Sequence, residues 1–429
     1  MRLIRNKKGV ALMLVLAAIS VLTAVGVEFA YNTSIYYNLA QNELDRLKAY
    51  YLAKSAFNFM QLELKFDKLF KETVQSQNLG QYLGGNAQLP LCQQFPLSTG
   101  LIRTVFMEGG LEGLMGKEGG EEVPEAEVAE EGIEDLRKGT SISQEKGAAD
   151  FLQFDGDFDG ECVDESTKID LNGFYGLSLS PSPEGTPSQF DQYKQFIFRF
   201  LSQPRFKLLF EKADVRVPDV ANNIGDWVDD NSEMNDFDGR TGGAETALYQ
   251  KDEAPYEVRN SKLITLLETY LIDGVVDTWF EPMMAYFTIY GDSKINVCTA
   301  SEEVLEGLIR RYVDSTPDLP PLRLEDPEEM GRLTTAVLEA CGQGNSGSQL
   351  KQDINAALSA VIGSIAGGQQ TATTSGSTGG FAEYVSTDSR YFTLKLAGQV
   401  ADITVRIKAV LNVTESDPTK WKLLYWRVY

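Results

Sequence analysis

The chain has 429 residues, with 62 Asp and Glu against 39 Lys and Arg, a net charge of −23, no histidine, four cysteines and 43% hydrophobic residues. That length fits two or three domains, and the charge excludes nucleic acid as a partner, because such binding rests on Lys and Arg displacing phosphate counterions. Without histidine there is no Ser-His-Asp or Cys-His nucleophile and no His-ligated zinc or haem. Carboxylates, Lys, Tyr or a metal held by oxygen are the remaining chemical means.

Arg2, Arg5, Lys7 and Lys8 precede the first acid, Glu28, and lead into an uncharged apolar run from Val10 to Val27. As a helix rising ~1.5 Å per residue, the run reaches close to the ~30 Å of a bilayer core. The basic flank predicts a cytoplasmic N-terminus with the rest exported to the periplasm. Three readings compete. The run is a secretory signal cut after Ala24-Val25-Gly26, an uncleaved anchor, or the start of a mature chain cut before it, between Gly9 and Val10. For the third, Lys7-Lys8-Gly9-Val10-Ala11-Leu12 resembles the leaders of type IV pilins and type II secretion pseudopilins, which prepilin peptidase removes.

The next fifty residues favour the third reading. From Val27 to Leu79 there is neither glycine nor proline, which predicts a continuous helix. Leu44, Leu47, Tyr51, Phe59, Leu62, Phe66 and Leu69 fall at three-or-four spacing, an apolar stripe expected to face a folded domain. A membrane helix running unbroken into a core helix is what a pilin subunit needs: its first half packs in a filament and its second carries the head. Most of that family has a glutamate at the fifth residue after the cut, and here the place is Leu14. In this the chain resembles the K-type minor pseudopilin (GspK), which the family places at the filament tip.

Farther on, Gly80 to Met107 reads as turn-rich connection with a short strand at Leu101 to Phe106. Residues 108–146 and 363–380 are expected to be solvated linkers, the first acidic, the second rich in Gly, Ser and Thr. Asp164 to Asn172 resembles a K-type phrase in which an acidic turn leads to a strand and a cap. Lys294-Ile295-Asn296-Val297-Cys298-Thr299-Ala300, with Val304-Leu305 behind, resembles another, with Cys298 where the family has Asn. Thr299 or Ser301 is expected to cap a helix whose first turn holds Glu302 and Glu303. Helices are predicted over 189–212 with a break at Pro204, and over 263–271, 304–312 and 332–340. In the family these lie in a helical domain inserted into the pilin-like head.

Ile224 to Tyr249 is the most suggestive chemically. Asp226-Trp227-Val228-Asp229, followed by a run of acids and amides and then Gly243-Ala244-Glu245, resembles a loop that binds calcium in K-type pseudopilins. Calcium takes six to eight oxygen ligands in flexible geometry, and an acidic loop closed without a cation crowds like charges. The ligands this resemblance implies are Asp229, Asn231, Asp236, Asp238 and Glu245; a solvated acidic loop is the bland alternative. A second, weaker candidate is Asp155, Asp157 and Asp159, which match the start of an EF-hand loop, although Ser166 stands where its twelfth-position Glu is required. A hairpin tip bearing surface acids fits that run equally well.

An exported chain meets an oxidising compartment, so disulfides are expected. Of the three pairings, Cys298 with Cys341 and Cys92 with Cys162 would staple each region locally, with free buried thiols as the alternative. At the C-terminus Phe392, Leu394 and Leu396, then Ile403, Val405, Ile407 and Ala409, alternate with polar residues around a turn at Gly398-Gln399. After Ser416-Asp417-Pro418 a third strand runs from Trp421 to Val428, completing a meander on the long helix. Ser389-Arg390-Tyr391-Phe392 resembles the phrase that opens these strands in the family.

The expected fold is therefore α+β: a type IV pilin-like fold, in which a long N-terminal helix packs on a C-terminal antiparallel β-sheet, with a large inserted α-helical domain. The expected organisation is leader 1–9, membrane segment 10–27, amphipathic helix 28–80, start of the head 81–172, insert 173–362, linker 363–380 and meander 381–429. The resemblance implies a non-enzymatic tip subunit of the type II secretion pseudopilus, anchored once in the inner membrane. Its implied partners are the I- and J-type minor pseudopilins, then the H type and the major pseudopilin. A membrane-tethered, calcium-dependent adhesin and a pilus-like tip subunit are the rivals. A glycosidase using Asp226 and Glu245 as its acid and base is a third, though no sequence feature marks a substrate cleft.

Overall fold

The computed structural model of the chain describes residues 7–76, 89–100, 102–103, 154–180, 187–235, 241–251, 255–314, 316, 319–343, 345, 347–365, 381 and 385–429. The expected acidic linker and most of the Gly/Ser/Thr stretch lie outside them, as do Asp236 and Asp238.

Helix α1 runs unbroken from Lys7 to Ser76, 70 residues, and is long and apolar enough to cross a membrane. Its apolar N-terminal half is exposed, packed against no other described part of the chain, and Leu14 is exposed there. The short helix α2 (Leu91–Gln94) and strand β1 (Leu97–Ser98) lead toward β2 (Asp157–Asp164). Residues 102–103 are helical where a strand was expected, and the rest of that stretch, 101 and 104–106, lies outside the described residues. Far along the chain come β9 (Tyr391–Val400), β10 (Ile403–Asn412) and β11 (Lys422–Val428). These five strands form one antiparallel sheet in the order β1-β2-β9-β10-β11. Alternate residues Phe392, Leu394, Leu396, Ile407 and Ala409 are buried against α1.

The face that α1 buries differs from the expected stripe. Leu44, Leu47, Tyr51, Leu62, Phe66 and Leu69 are all 45% exposed or more, and of that stripe only Phe59 is half-buried, stacked on Phe158. The sheet instead meets Ala49, Ala53, Ala56, Met60 and Leu64. Close approach explains the choice. A Cβ on Gly398 would lie 2.1 Å from the Ala49 carbonyl oxygen and 2.5 Å from the Ala53 amide nitrogen, so glycine in the strand meets alanine on the helix. Gly398 is accordingly inside β9, and the tight turn expected there falls at Ala401-Asp402, where Ala401 takes φ 50°.

Between β2 and β9 the chain forms a second body with its own core. After β3 (Ile169–Asp170) come helices α3 (Gln189–Leu201), α4 (Lys207–Ala213) and α5 (Val217–Val228). The ribbon β4 (Glu233–Asn235) with β5 (Thr241–Ala244), helix α6 (Asp277–Met283) and the short strands β6 (Phe287–Thr288) and β7 (Ile295–Asn296) follow. Helices α7 (Glu302–Asp314), α8 (Pro327–Cys341) and α9 (Gly347–Ile365) and strand β8 (Val385–Ser386) complete it. Residues 266–271 form a 3-10 turn where a helix was expected, and α9 reaches into the stretch read as linker. Phe190, Phe196, Phe200, Trp279, Phe280 and Phe287 are fully buried at its centre. This is the α+β arrangement expected from the sequence, a long helix on an antiparallel sheet with a large helical body carried between two strands.

Polar side chains weld the body to the head where the chain leaves and returns. The Ser166 hydroxyl accepts from the Arg390 and Tyr391 amides at 2.8 and 3.1 Å, Thr393 donates to Glu165 at 2.7 Å, and Ser389 donates to Asp164. Asn296, from the Lys-Ile-Asn-Val phrase, donates to the Ser389 hydroxyl at 2.8 Å, while β7 pairs in parallel with β8. Asn172 closes a second junction, accepting from the Leu263 amide and donating to the Leu263 and Ile289 carbonyls. At the head of α7 no hydroxyl cap forms from Thr299, whose Oγ1 is buried without a hydrogen-bond partner. Disulfides join Cys92 to Cys162 in the head and Cys298 to Cys341 in the helical body.

Candidate metal centre

Helix α5 ends where its Asp-Trp-Val-Asp segment turns into the β4–β5 ribbon. Asp226 lies in its last turn, and Asp229 comes next after the helix, in extended conformation. The ribbon returns the chain to Glu245, the first residue of a 3-10 turn. The Asp226, Asp229 and Glu245 side chains are 4%, 3% and 2% exposed, and one oxygen from each lies within 4.8 Å of the others. Next to Asp226 in the chain, the buried Trp227 packs edge-on against Tyr249 and Tyr256.

Two of the carboxylates are already oriented. Asn235 donates its side-chain amide to Asp226 at 3.0 Å and to Asp229 at 3.2 Å, and its backbone amide to Asp226 at 3.2 Å. Asn231 donates to Asp229 through its side chain at 2.7 Å and its backbone at 3.2 Å. Glu245 is different, since both its oxygens are buried and neither has a hydrogen-bond partner. Removing such a group from water without a partner is costly, and the cost rises beside two more acids. Burial, then the charges of Asp229 and Asp226, push Glu245 up to about 8. Burial lifts Asp226 to about 7 and Asp229 to about 6 against the hydrogen bonds of the two asparagines. Three buried acids that resist ionising become a favourable site once a divalent cation joins them, and an all-oxygen donor set suits a hard ion such as Ca²⁺.

Of the residues expected as ligands, Asp229 and Glu245 are brought together here. Asn231 stands behind Asp229, its side-chain oxygen accepting from the Glu233 amide at 2.7 Å. Asp236 and Asp238 lie outside the described residues. Asp226, part of the expected calcium loop but not among its expected ligands, joins the set. Its signal was the three-residue spacing to Asp229, which puts one acid in the last helical turn and the other just past it.

The second expected site does not assemble. Asp157 begins β2, and Asp157 and Asp159 point out of the sheet on its exposed side. Ladder pairing holds this segment extended, so acids two residues apart stand ~6.6 Å apart along the strand and cannot converge as in an EF-hand loop. Asp157 pairs with Arg103 at 3.3 Å and Asp155 with Lys48 at 3.6 Å. The bond between Gly9 and Val10 lies in the first turn of α1.

No family model and no curated protein matches this chain. A solved structure of the GspK-GspI-GspJ complex from the enterotoxigenic Escherichia coli type 2 secretion system is similar to it over 64% of this chain and 80% of that one, at 15% identity and a TM-score of 0.37.

Proposed function

We propose that this chain is a minor pseudopilin of K type, the tip subunit of a type II secretion pseudopilus. The observation that carries the reading is α1 itself. One helix of 70 residues holds an apolar half that packs against no other described part of the chain and a second half welded to a β-sheet by an alanine face. Such a subunit works by assembly. The first half sits in the inner membrane or packs with other such helices, and the second fixes the head to it. Leu14 at the fifth place after Gly9, together with the large helical body carried on the head, supports the tip position. The partners would be the I- and J-type minor pseudopilins, then the H type and the major pseudopilin. Prepilin peptidase would cut between Gly9 and Val10.

In this reading calcium is structural. Held by Asp226, Asp229 and Glu245, it would neutralise three buried acids and fix the ribbon to α5. Deletion of the gene is the functional test: loss of export of folded substrates across the outer membrane, restored by the wild-type chain, is expected. Intact export in the deletion strain would favour a tethered adhesin.

A further inference from the structure

The three carboxylates leave a cation's shell incomplete. Asp226 and Asp229 already accept hydrogen bonds from Asn235 and Asn231, which occupy lone pairs that a calcium ion would otherwise use. Further acids would add repulsion, so the remaining positions call for neutral oxygens. One such oxygen is at hand in a different segment. Asn260 sits in a left-handed backbone conformation, φ 48°, which asparagine tolerates better than most residues. Its side-chain amide donates to the Asn231 carbonyl and to the Ser232 hydroxyl, the latter at 3.0 Å, and the Ser232 carbonyl in turn accepts the Glu245 backbone amide. The Asn260 side-chain oxygen, Oδ1, is buried and has no hydrogen-bond partner.

We infer that Asn260 is a fourth protein ligand of this site, supplying a neutral amide oxygen to the cation held by Asp226, Asp229 and Glu245. The inference rests on the calcium reading above. It explains two features together: a buried amide oxygen without a donor, and a non-glycine residue held at positive φ next to unpaired buried carboxylate oxygens. Through Asn260 the ion reaches a third stretch of chain. Arg259, its neighbour, pairs with Glu268 at 3.1 Å and donates to the Lys262 carbonyl at 3.0 Å. Cation binding would then fasten the 255–263 segment to the end of α5 and to the ribbon.

The test uses the full-length chain in detergent, with Tb³⁺ luminescence sensitised by Trp227, displacement by Ca²⁺, and melting with and without the ion. Asn260→Gly keeps the left-handed backbone free of strain and removes the amide. Asn260→Asp returns an oxygen but no longer offers the amide donor. If Asn260 is a ligand, N260G weakens Ca²⁺ binding by at least about tenfold and shrinks the calcium-dependent rise in Tm, whereas N260D binds at least as tightly as wild type. N260G binding within about twofold of wild type overturns the inference. So does N260D binding as weakly as N260G, because the residue would then act only through its donated hydrogen bonds. The underlying reading fails separately, and shows it: wild type itself binds no Ca²⁺, or Asp229→Asn binds it equally well.

Discussion

Replacing Gly398 by alanine tests the helix-on-sheet packing directly. The added Cβ meets backbone atoms, 2.1 Å from the Ala49 oxygen and 2.5 Å from the Ala53 nitrogen, and Leu52 Cβ lies 3.0 Å away. A carbon and an oxygen rest at ~3.3 Å, so α1 and β9 must part by ~1 Å, and neither a helix backbone nor a central strand can yield locally. A gap of that size forfeits a quarter to a half of the dispersion contact along the interface, which includes Ala49, Ala53 and Ala56, each fully buried. Overpacking costs about 1–3 kcal/mol where side chains can adjust, and here the obstacle is backbone, which puts the loss at about 3 kcal/mol or more. Hydrogen exchange on the full-length chain localises the effect. Protection should fall in 45–67 and 391–412 and persist in α3, α5 and α7. Gly331→Ala is the matched control: nothing lies within 4 Å of its added Cβ, and an alanine inside a helix gains about 0.5–1 kcal/mol. If Gly398→Ala melts within about 0.5 kcal/mol of wild type with unchanged exchange, the close-approach argument is wrong.

Calcium at a hundred times its Kd should add about 2.7 kcal/mol of stability, removed by chelator and absent in Asp229→Asn, as thermal melting will show. The three acids have folded pKa values above their unfolded values of 3.8 to 4.5, so the folded chain holds more protons. The contribution of these three acids to ion-free stability is therefore fullest below about pH 4 and is lost as pH rises toward about 8; an ion-free pH profile left unchanged by Asp229→Asn refutes this electrostatic account. Opening the Cys298–Cys341 bridge, which spans 43 residues of sequence, should cost about 4 kcal/mol by loop entropy, measured by denaturant unfolding of Cys298→Ser with Cys341→Ser. Leu47→Gln and Phe66→Gln, on the exposed stripe of α1, should change stability by no more than about 0.5 kcal/mol yet weaken capture of partner pseudopilins; a drop above about 1 kcal/mol would mean the stripe is buried after all.

The long helix was legible because 27–79 lacks glycine and proline, and the meander because alternation survives in β9 and β10. Which face of the helix is buried was not. Periodicity weights large apolar side chains, and Leu47, Tyr51 and Phe66 outweigh Ala49, Ala53 and Ala56, although the small residues are the ones a sheet can approach. Gly398 misled for the same reason: read in isolation it signals a turn, and only the helix above it reveals the need for a missing side chain. At the candidate metal centre the ribbon joining Asp229 to Glu245 carried a readable pattern. Asn260 did not, because its place in the site comes from a fold contact across 29 residues of sequence. Asp157 and Asp159 show the converse, a loop-like spacing overruled by ladder hydrogen bonds to β9.

N-terminal sequencing of the mature protein taken from membranes tests the central claim most directly. The expected mature chain begins at Val10, with the apolar half of α1 retained. A mature N-terminus at Val27 or beyond would mean that the apolar run is a discarded signal and the chain no pseudopilin.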